Sequence, residues 1–359
     1  MKNKLLKILC CTTALVMLCG CDGTSVIRTK EVTNKISQSA VIKKTKITEN
    51  EEFNEFFKSF ESDFVIPGLY EGIIPQGICF DETTGYFLIS GYYEDETLPS
   101  MIIAVDGNTD KLVCAYPLKT TNGDDYYGHA GGIASSQNTI YLTSGGECYT
   151  IPSVDLVNHK NGTPLHFKAK FKLNTAGSFA CIHNNILWVG DFVESSNEGR
   201  EAASHITTLT SGETFYAYCE GYLLTDGLPD IKKINSEANG YIPDYMLAIP
   251  EQVQGMAFTK AEKMVFSTSY GRKNNSKIYI FEDILANEKI DTITIDNKTI
   301  DVLACSSEHL IKEITAPPMA EGMANTLDGM YLLFESGAAK YRSHSGKNPV
   351  ENVYFTTIE

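Results

Sequence analysis

Amides, carboxylates and a histidine recur just ahead of short apolar runs in this chain: Gln76, His129, Ser178, Gln254 and Glu321. A second set follows apolar runs closely: Tyr92, Tyr93, Asp191, Tyr270, Arg272, Glu335 and Lys340. Amides and charges of this kind orient a polar ligand, and tyrosine rings stack on the apolar faces of sugars. Oxygens from Gln76, Gln254, Glu321 and Asp191 could surround one hard cation such as calcium. Arg272 or Lys340 could take that cation's place, with Glu321 and Glu335 as ion-pair partners. The same two glutamates could also act as the acid and base of a glycosidase, although sequence leaves their separation open. His129 is the one histidine in a position suited to a site. His159, His166, His183, His205, His309 and His344 read as loop or strand-edge residues without a role.

For these side chains to meet, the apolar runs must be strands arranged about an axis. A small residue followed by a short apolar run appears at Gln76-Gly77-Ile78-Cys79-Phe80, and it recurs at Gly131-Gly132-Ile133-Ala134 and Gly177-Ser178-Phe179-Ala180. Gln254-Gly255-Met256-Ala257-Phe258 and Glu321-Gly322-Met323-Ala324 complete the series. Each is followed by a turn and a second apolar strand, as at Tyr86 to Ser90, Ile140 to Ser144, Ile186 to Gly190, Met264 to Ser267 and Met330 to Phe334. Further strands are expected at Met101 to Val105, Leu112 to Tyr116, Phe167 to Phe171, Glu213 to Tyr218, Met246 to Ile249 and Lys277 to Phe281. One small sheet cannot bury both of its faces, whereas a ring of them can, and repeated four-stranded units are the mark of propeller blades. The expected fold is all-β: a β-propeller of five four-stranded blades, with six as the alternative. Its last blade has a third strand at Val353 to Ile358, and Phe64 to Tyr70 would supply the fourth and close the ring. In an antiparallel blade the start of the first strand and the end of the second share one end of the sheet. Both sets of polar residues therefore gather around one mouth of the central channel.

Several stretches resemble a group of secreted or lipid-anchored bacterial propellers of unassigned function. They are Ile74-Pro75-Gln76-Gly77, Gly128-His129-Ala130-Gly131-Gly132, Val253-Gln254-Gly255, Ser269-Tyr270-Gly271-Arg272, Pro317-Pro318-Met319-Ala320-Glu321-Gly322 and Leu333-Phe334-Glu335-Ser336-Gly337-Ala338. The resemblance spans about residues 64–358 and implies a propeller of the YVTN or quinoprotein amine dehydrogenase β-chain type, with no activity attached. Neither a haem-attachment motif nor a cofactor-forming motif is present, so no cofactor is expected, calcium excepted if the chain is a hydrolase.

The first residues carry an address. Lys2, Lys4 and Lys7 precede an apolar run from Leu5 to Leu18, too short for an ordinary membrane span. Leu18-Cys19-Gly20-Cys21 resembles the lipobox of bacterial lipoproteins, which implies cleavage before Cys21 and diacylglycerol on its thiol. The expected organisation is a signal peptide over 1–20, a flexible tether over 21–48, an amphipathic helix over 49–62 and the propeller over 63–359. Phe53, Phe56, Phe57 and Phe60 supply that helix's apolar stripe, expected to pack on the propeller rim.

The formal charge of −15 becomes −18 once the three signal lysines are removed, which argues against nucleic acid as a partner. Four of the ten cysteines lie in or at the signal. The other six read as small buried hydrophobes. These features describe a membrane-anchored, extracytoplasmic lipoprotein whose propeller face binds a cell-wall component, a glycan or a partner protein without catalysis. The alternative is a calcium-dependent extracellular hydrolase of lactonase, esterase or glycosidase type, working on the same face.

Overall fold

The computed structural model describes residues 33, 35–42, 50–194, 206–230, 234–235, 240–287, 289–342 and 348–359. The signal segment, Cys21, His205 and His344 lie outside them. Five sheets of four or more strands form the body. Their innermost strands are Ile73–Asp81, Gly132–Ser136, Phe179–His183, Val253–Phe258 and Ala320–Asn325, in blades I to V. Each inner strand packs against its two sequence neighbours, and the last contacts the first, so the five make a closed ring. The architecture is the five-bladed propeller that the repeat implies.

The small residues at the head of each inner strand have a steric reason. A Cβ on Gly77 would sit 2.8 Å from the Gly131 carbonyl oxygen, and one on Gly322 would sit 2.8 Å from Gly77 Cα. At Gly255 it would meet Met323 N at 2.7 Å, and at Gly132 it would meet Ala180 N at 2.5 Å. With only five blades, neighbouring inner strands approach backbone to backbone, and a side chain there has nowhere to go. Second-strand serines bolt the same level together: Ser90 Oγ donates to the Ala130 carbonyl, and Ser267 Oγ donates to the Glu321 carbonyl.

Blade V is built from Ala320–Asn325, Met330–Phe334, Asn352–Thr356 and the N-terminal strand Glu61–Val65. Closure by both termini is as expected, but the closing strand lies upstream of the predicted Phe64 to Tyr70. Pro67 has no N–H to give a ladder, and Gly68 turns the chain at φ +84°. The helix is correspondingly short, a 3₁₀ turn Glu51–Phe53 running into Asn54–Ser59. Its Phe53, Phe56 and Phe60 are buried in a cluster shared with Ile278, Ile314, Phe334 and Tyr354, so it packs across the joint of blades IV and V.

Residues 35–42, expected to belong to a flexible tether, are docked. Ile36 packs on Ile73, Tyr93 and Met101, and Gln38 bridges the Val65 and Asp110 carbonyls while accepting from Leu112 N–H. A polar composition concealed this, because the segment is held mainly through backbone groups.

The blades also interlock in a way the sequence did not disclose. The excursion between the third and fourth strands of blade II sends Leu165–His166 back to pair in parallel with the outer strand Lys111–Lys119 of blade I. Blade III sends Gly240–Tyr241 to Ala169–Lys172 of blade II, and blade IV sends Lys298–Ala304 to Tyr245–Ile249 of blade III. The phenylalanine helix occupies the same place on blade IV, against Leu310–Ala316. Outer edges that would otherwise offer unpaired backbone groups are thus covered by the following blade.

Candidate ligand site at the channel mouth

Two carboxyl groups lie at its centre. Glu321 opens the inner strand of blade V and is 2 % exposed. Glu335 follows the second strand of the same blade and lies close enough to Glu321 for the two carboxyls to perturb each other. Gln76, from blade I, donates Nε2–H to Glu335 Oε2 at 2.9 Å, and Gln254, from blade IV, donates Nε2–H to Glu321 Oε1 at 3.3 Å. Three blades therefore contribute to one cluster. Burial raises both carboxyls above the ordinary range. Glu321 goes well above it, with Glu335 adding to the effect, and Glu335 is pushed up to about 7 against the opposing pull of Gln76, Glu321, Tyr341 and Lys340. Like charges in contact cannot both stay ionised in a desolvated site, so the pair shares a proton near neutral pH.

Aromatic rings and cations surround the pair. Tyr92 and Tyr341 both flank Lys340, and the Tyr92 ring lies 4.5 Å from that of His129. Lys340 Nζ stands 5.9 Å from the centroid of Tyr92 and 5.8 Å from that of Tyr341, and Arg272 Cζ is 5.0 Å from Tyr341. Burial and the Glu335 charge push the Tyr92 phenol up to about 12. Desolvation, then the Lys340 charge, hold the His129 imidazole below its usual value, so it stays neutral at pH 7.

The structure brings Gln76, His129, Gln254, Glu321, Arg272, Glu335 and Lys340 together. Asp191 and Tyr270 are not part of that cluster in their described contacts. Asp191 is 3 % exposed and accepts from Ala176 N–H at 2.6 Å and Tyr218 N–H at 3.3 Å, holding the turn before blade III. A buried carboxylate beside a strand end is satisfied first by the nearest unpaired backbone donors. Ser178 behaves likewise, accepting from Phe192 N–H. Tyr270 keeps company with Phe192, at 6.3 Å between rings. Tyr93 points away from the mouth into the Ile36 cluster, because successive strand residues face opposite sides.

Tyr341 is the site residue that sequence reasoning missed. It lies in the helical turn Ala339–Arg342 just beyond the Phe-Glu-Ser-Gly stretch, and no strand-based pattern reaches it.

The four oxygen-bearing side chains that could surround a hard cation are engaged elsewhere in their described contacts. Asp191 serves the backbone, and the two amides turn nitrogens, not oxygens, toward the carboxyls. Among the described residues no group of three or more His, Cys, Asp or Glu is arranged to hold a metal. The six cysteines at 79, 114, 148, 181, 219 and 305 are buried free thiols. No described helix is long and apolar enough to cross a membrane.

No family model matches the chain, and no curated protein is similar to it in sequence. Among solved structures it is similar to the glutaminyl cyclase of Myxococcus xanthus, at TM-score 0.39 and 10% identity over 80% of this chain and 93% of that one. It is similar to the PQQ-bound aldose sugar dehydrogenase of Streptomyces coelicolor, at 0.37 and 11% over 83% and 97%. A calcium-binding regucalcin of Agrobacterium tumefaciens gives 0.39 and 10% over 80% and 91%.

Proposed function

We propose that this chain is a lipid-anchored, extracytoplasmic propeller that binds a polar ligand at the channel mouth without transforming it. The observation that carries this reading is the meeting of Gln76, Gln254, Glu321 and Glu335 from three blades beneath a rim of Tyr92, His129, Tyr341, Lys340 and Arg272. Amides and a carboxyl pair sort hydroxyl groups by hydrogen bonding, and flat rings accept the apolar face of a sugar, so a cell-wall saccharide or other glycan suits the chemistry best. The kinship proposed is with the YVTN-like propellers, and the anchor is a diacylglyceryl group on Cys21.

Glycosidase chemistry fits poorly. Its two carboxyls divide the work, one protonated and one ionised, whereas desolvation raises both Glu321 and Glu335 and each is engaged by an amide, Gln254 and Gln76. Calcium-dependent hydrolysis would need that pair to lose its proton to solvent and bind the cation in its place. Calorimetric titration with solubilised cell-wall glycan tests the reading: wild type should bind, and Glu335→Gln and Lys340→Ala should each weaken binding by about tenfold. Turnover of an ester, lactone or glycan that is lost in Glu321→Gln, together with calcium-dependent thermal stabilisation, would establish the hydrolase instead.

A further inference from the structure

We propose that the opposite end of the channel is a second, separate binding site, for an organic ammonium ion carrying an apolar body. A cavity of about 700 Å³ opens there, lined by the far ends of all five inner strands. That volume falls within the range of small-molecule sites. Ile133, Met323, Cys79 and Cys181, all buried side chains, line its throat. Cys181 Sγ reaches Asn325 Oδ1 at 3.5 Å, from blade III to blade V, so the thiol side of the throat faces inward toward the axis. Asn325 is saturated by the backbone N–H and carbonyl of Phe258 and offers a ligand little. One wall is a π surface, with His183 stacked on Phe258 at 4.0 Å and 10°.

Charge at the rim is lopsided in sign. Glu82 and Glu262 line the opening against the single ammonium of Lys260, while Asp81 is fully buried, its oxygens taken by Ser135, Ser153 and Thr84. His183 contacts Glu262 at 2.6 Å, and Asn184 Nδ2 donates to the same carboxylate at 2.8 Å, which fixes Glu262 beside the aromatic wall. A cation seated there meets a carboxylate and a ring face together. An apolar tail then fills the throat and displaces its water. A carboxylate-bearing ligand of the same shape would meet repulsion instead. The glycine waist, where Gly77, Gly132, Gly255 and Gly322 bring inner strands into contact, lies between this bowl and the glutamate pair. Occupancy of one end is therefore independent of chemistry at the other.

A matched pair of probes tests this. 4-Phenylbutylamine and 4-phenylbutyrate share a body and differ in charge. Each is titrated into the full chain by calorimetry, with the emission of the single tryptophan, Trp188, recorded in parallel. Trp188 lies 6.3 Å from Phe258, one ring behind the cavity wall. The amine should bind and perturb that emission, with the carboxylate at least about tenfold weaker. Glu82→Gln and Glu262→Gln, conservative changes at the rim, should each cost the amine about fivefold. Glu335→Gln at the mouth should leave amine affinity unchanged. Equal affinity for the two probes, indifference to both rim variants, or absence of amine binding overturns the proposal. So does loss of amine binding in Glu335→Gln, which would move the amine to the mouth. Failure of glycan to bind at the mouth leaves every one of these outcomes readable.

Discussion

A close carboxyl pair in a desolvated site holds its proton to higher pH than either group would in water, and that difference is a stability term. In the unfolded chain both glutamates ionise near their ordinary value of 4.5, while in the native state Glu335 keeps its proton until about pH 7 and Glu321 is likewise held well above its ordinary value. The stabilisation is therefore complete below pH 4.5, and the share from Glu335 is lost as pH rises through 7. Glu335→Gln keeps a neutral hydrogen-bonding group in place and should flatten this part of the profile. Thermal melts at pH 5 and pH 8 should differ by several degrees less in the variant than in wild type, and an unchanged difference would show that the pair does not share a proton. At the rim, Lys340 stands over two tyrosine rings, and Lys340→Ala should release the His129 imidazole upward toward its ordinary pKa, which an NMR titration reads directly. Gln76, Gln254, Glu321 and Glu335 were legible because strand ends place residue types predictably around a ring. Asp191, placed in the same set by the same rule, accepts from the Ala176 and Tyr218 N–H groups, and position alone does not distinguish a residue facing the mouth from one that caps its own turn. His183, read as a residue without a role, is held against Phe258 and Glu262 in the lower bowl. No sequence signal marked it, because a contact between blades III and IV has no local pattern.

At the scale of elements, the inner two strands of every blade could be read from the chain, and the outer ones only in part. Inner strands repeat because they all solve one steric problem, the backbone contact at the glycine waist. Gly322→Ala would place a methyl group 2.8 Å from Gly77 Cα and 2.9 Å from the Gln76 carbonyl, both backbone atoms that cannot rotate aside. The expected cost is about 2–3 kcal/mol, seen as a lower denaturant midpoint, and Glu321 beside it should lose its contact with Gln254. Outer strands follow no such rule. Each is finished by a borrowed segment, and a parallel partner such as Lys298–Ala304 alternates regularly, exposed at Thr299 and Asp301 and buried at Ile300, Val302 and Ala304, yet nothing in that pattern tells which blade it joins. The covering helix of blade IV was visible from its phenylalanine spacing because it faces a core. Phe56→Ala should cost about 3–5 kcal/mol, since the ring is fully buried and touches Phe60, Phe334 and Tyr354.

At the scale of the whole molecule, the ring is closed by an element that also connects it to the N-terminal segment. Glu61–Val65 pairs with Asn352–Thr356, with Glu61 opposite Phe355 and Ser62 opposite Tyr354, so the outermost strand of blade V is the first propeller strand in the chain. Upstream of it lie the helix over blade IV and the docked residues 35–42, each fastened to a different blade. Removal of successively longer N-terminal pieces should therefore have stepwise consequences. A chain beginning at Thr33 retains every described contact and should melt like the full chain. Beginning at Asn50 removes Ile36 from the Ile73 and Tyr93 cluster and Gln38 from its bridge to Val65 and Asp110, at a cost of a few degrees. Beginning at Pro67 takes away Phe53, Phe56 and Phe60 together with the closing strand, leaving Asn352–Thr356 as a bare edge and the blade IV–V core open on one side. That chain should show no cooperative transition and should aggregate. Cys21→Ser tests the address separately: if lipid on this thiol is the anchor, the protein should move from the membrane fraction to the soluble one while its melting temperature stays the same. Membrane retention in that variant would mean that something other than the proposed lipid holds the propeller in place.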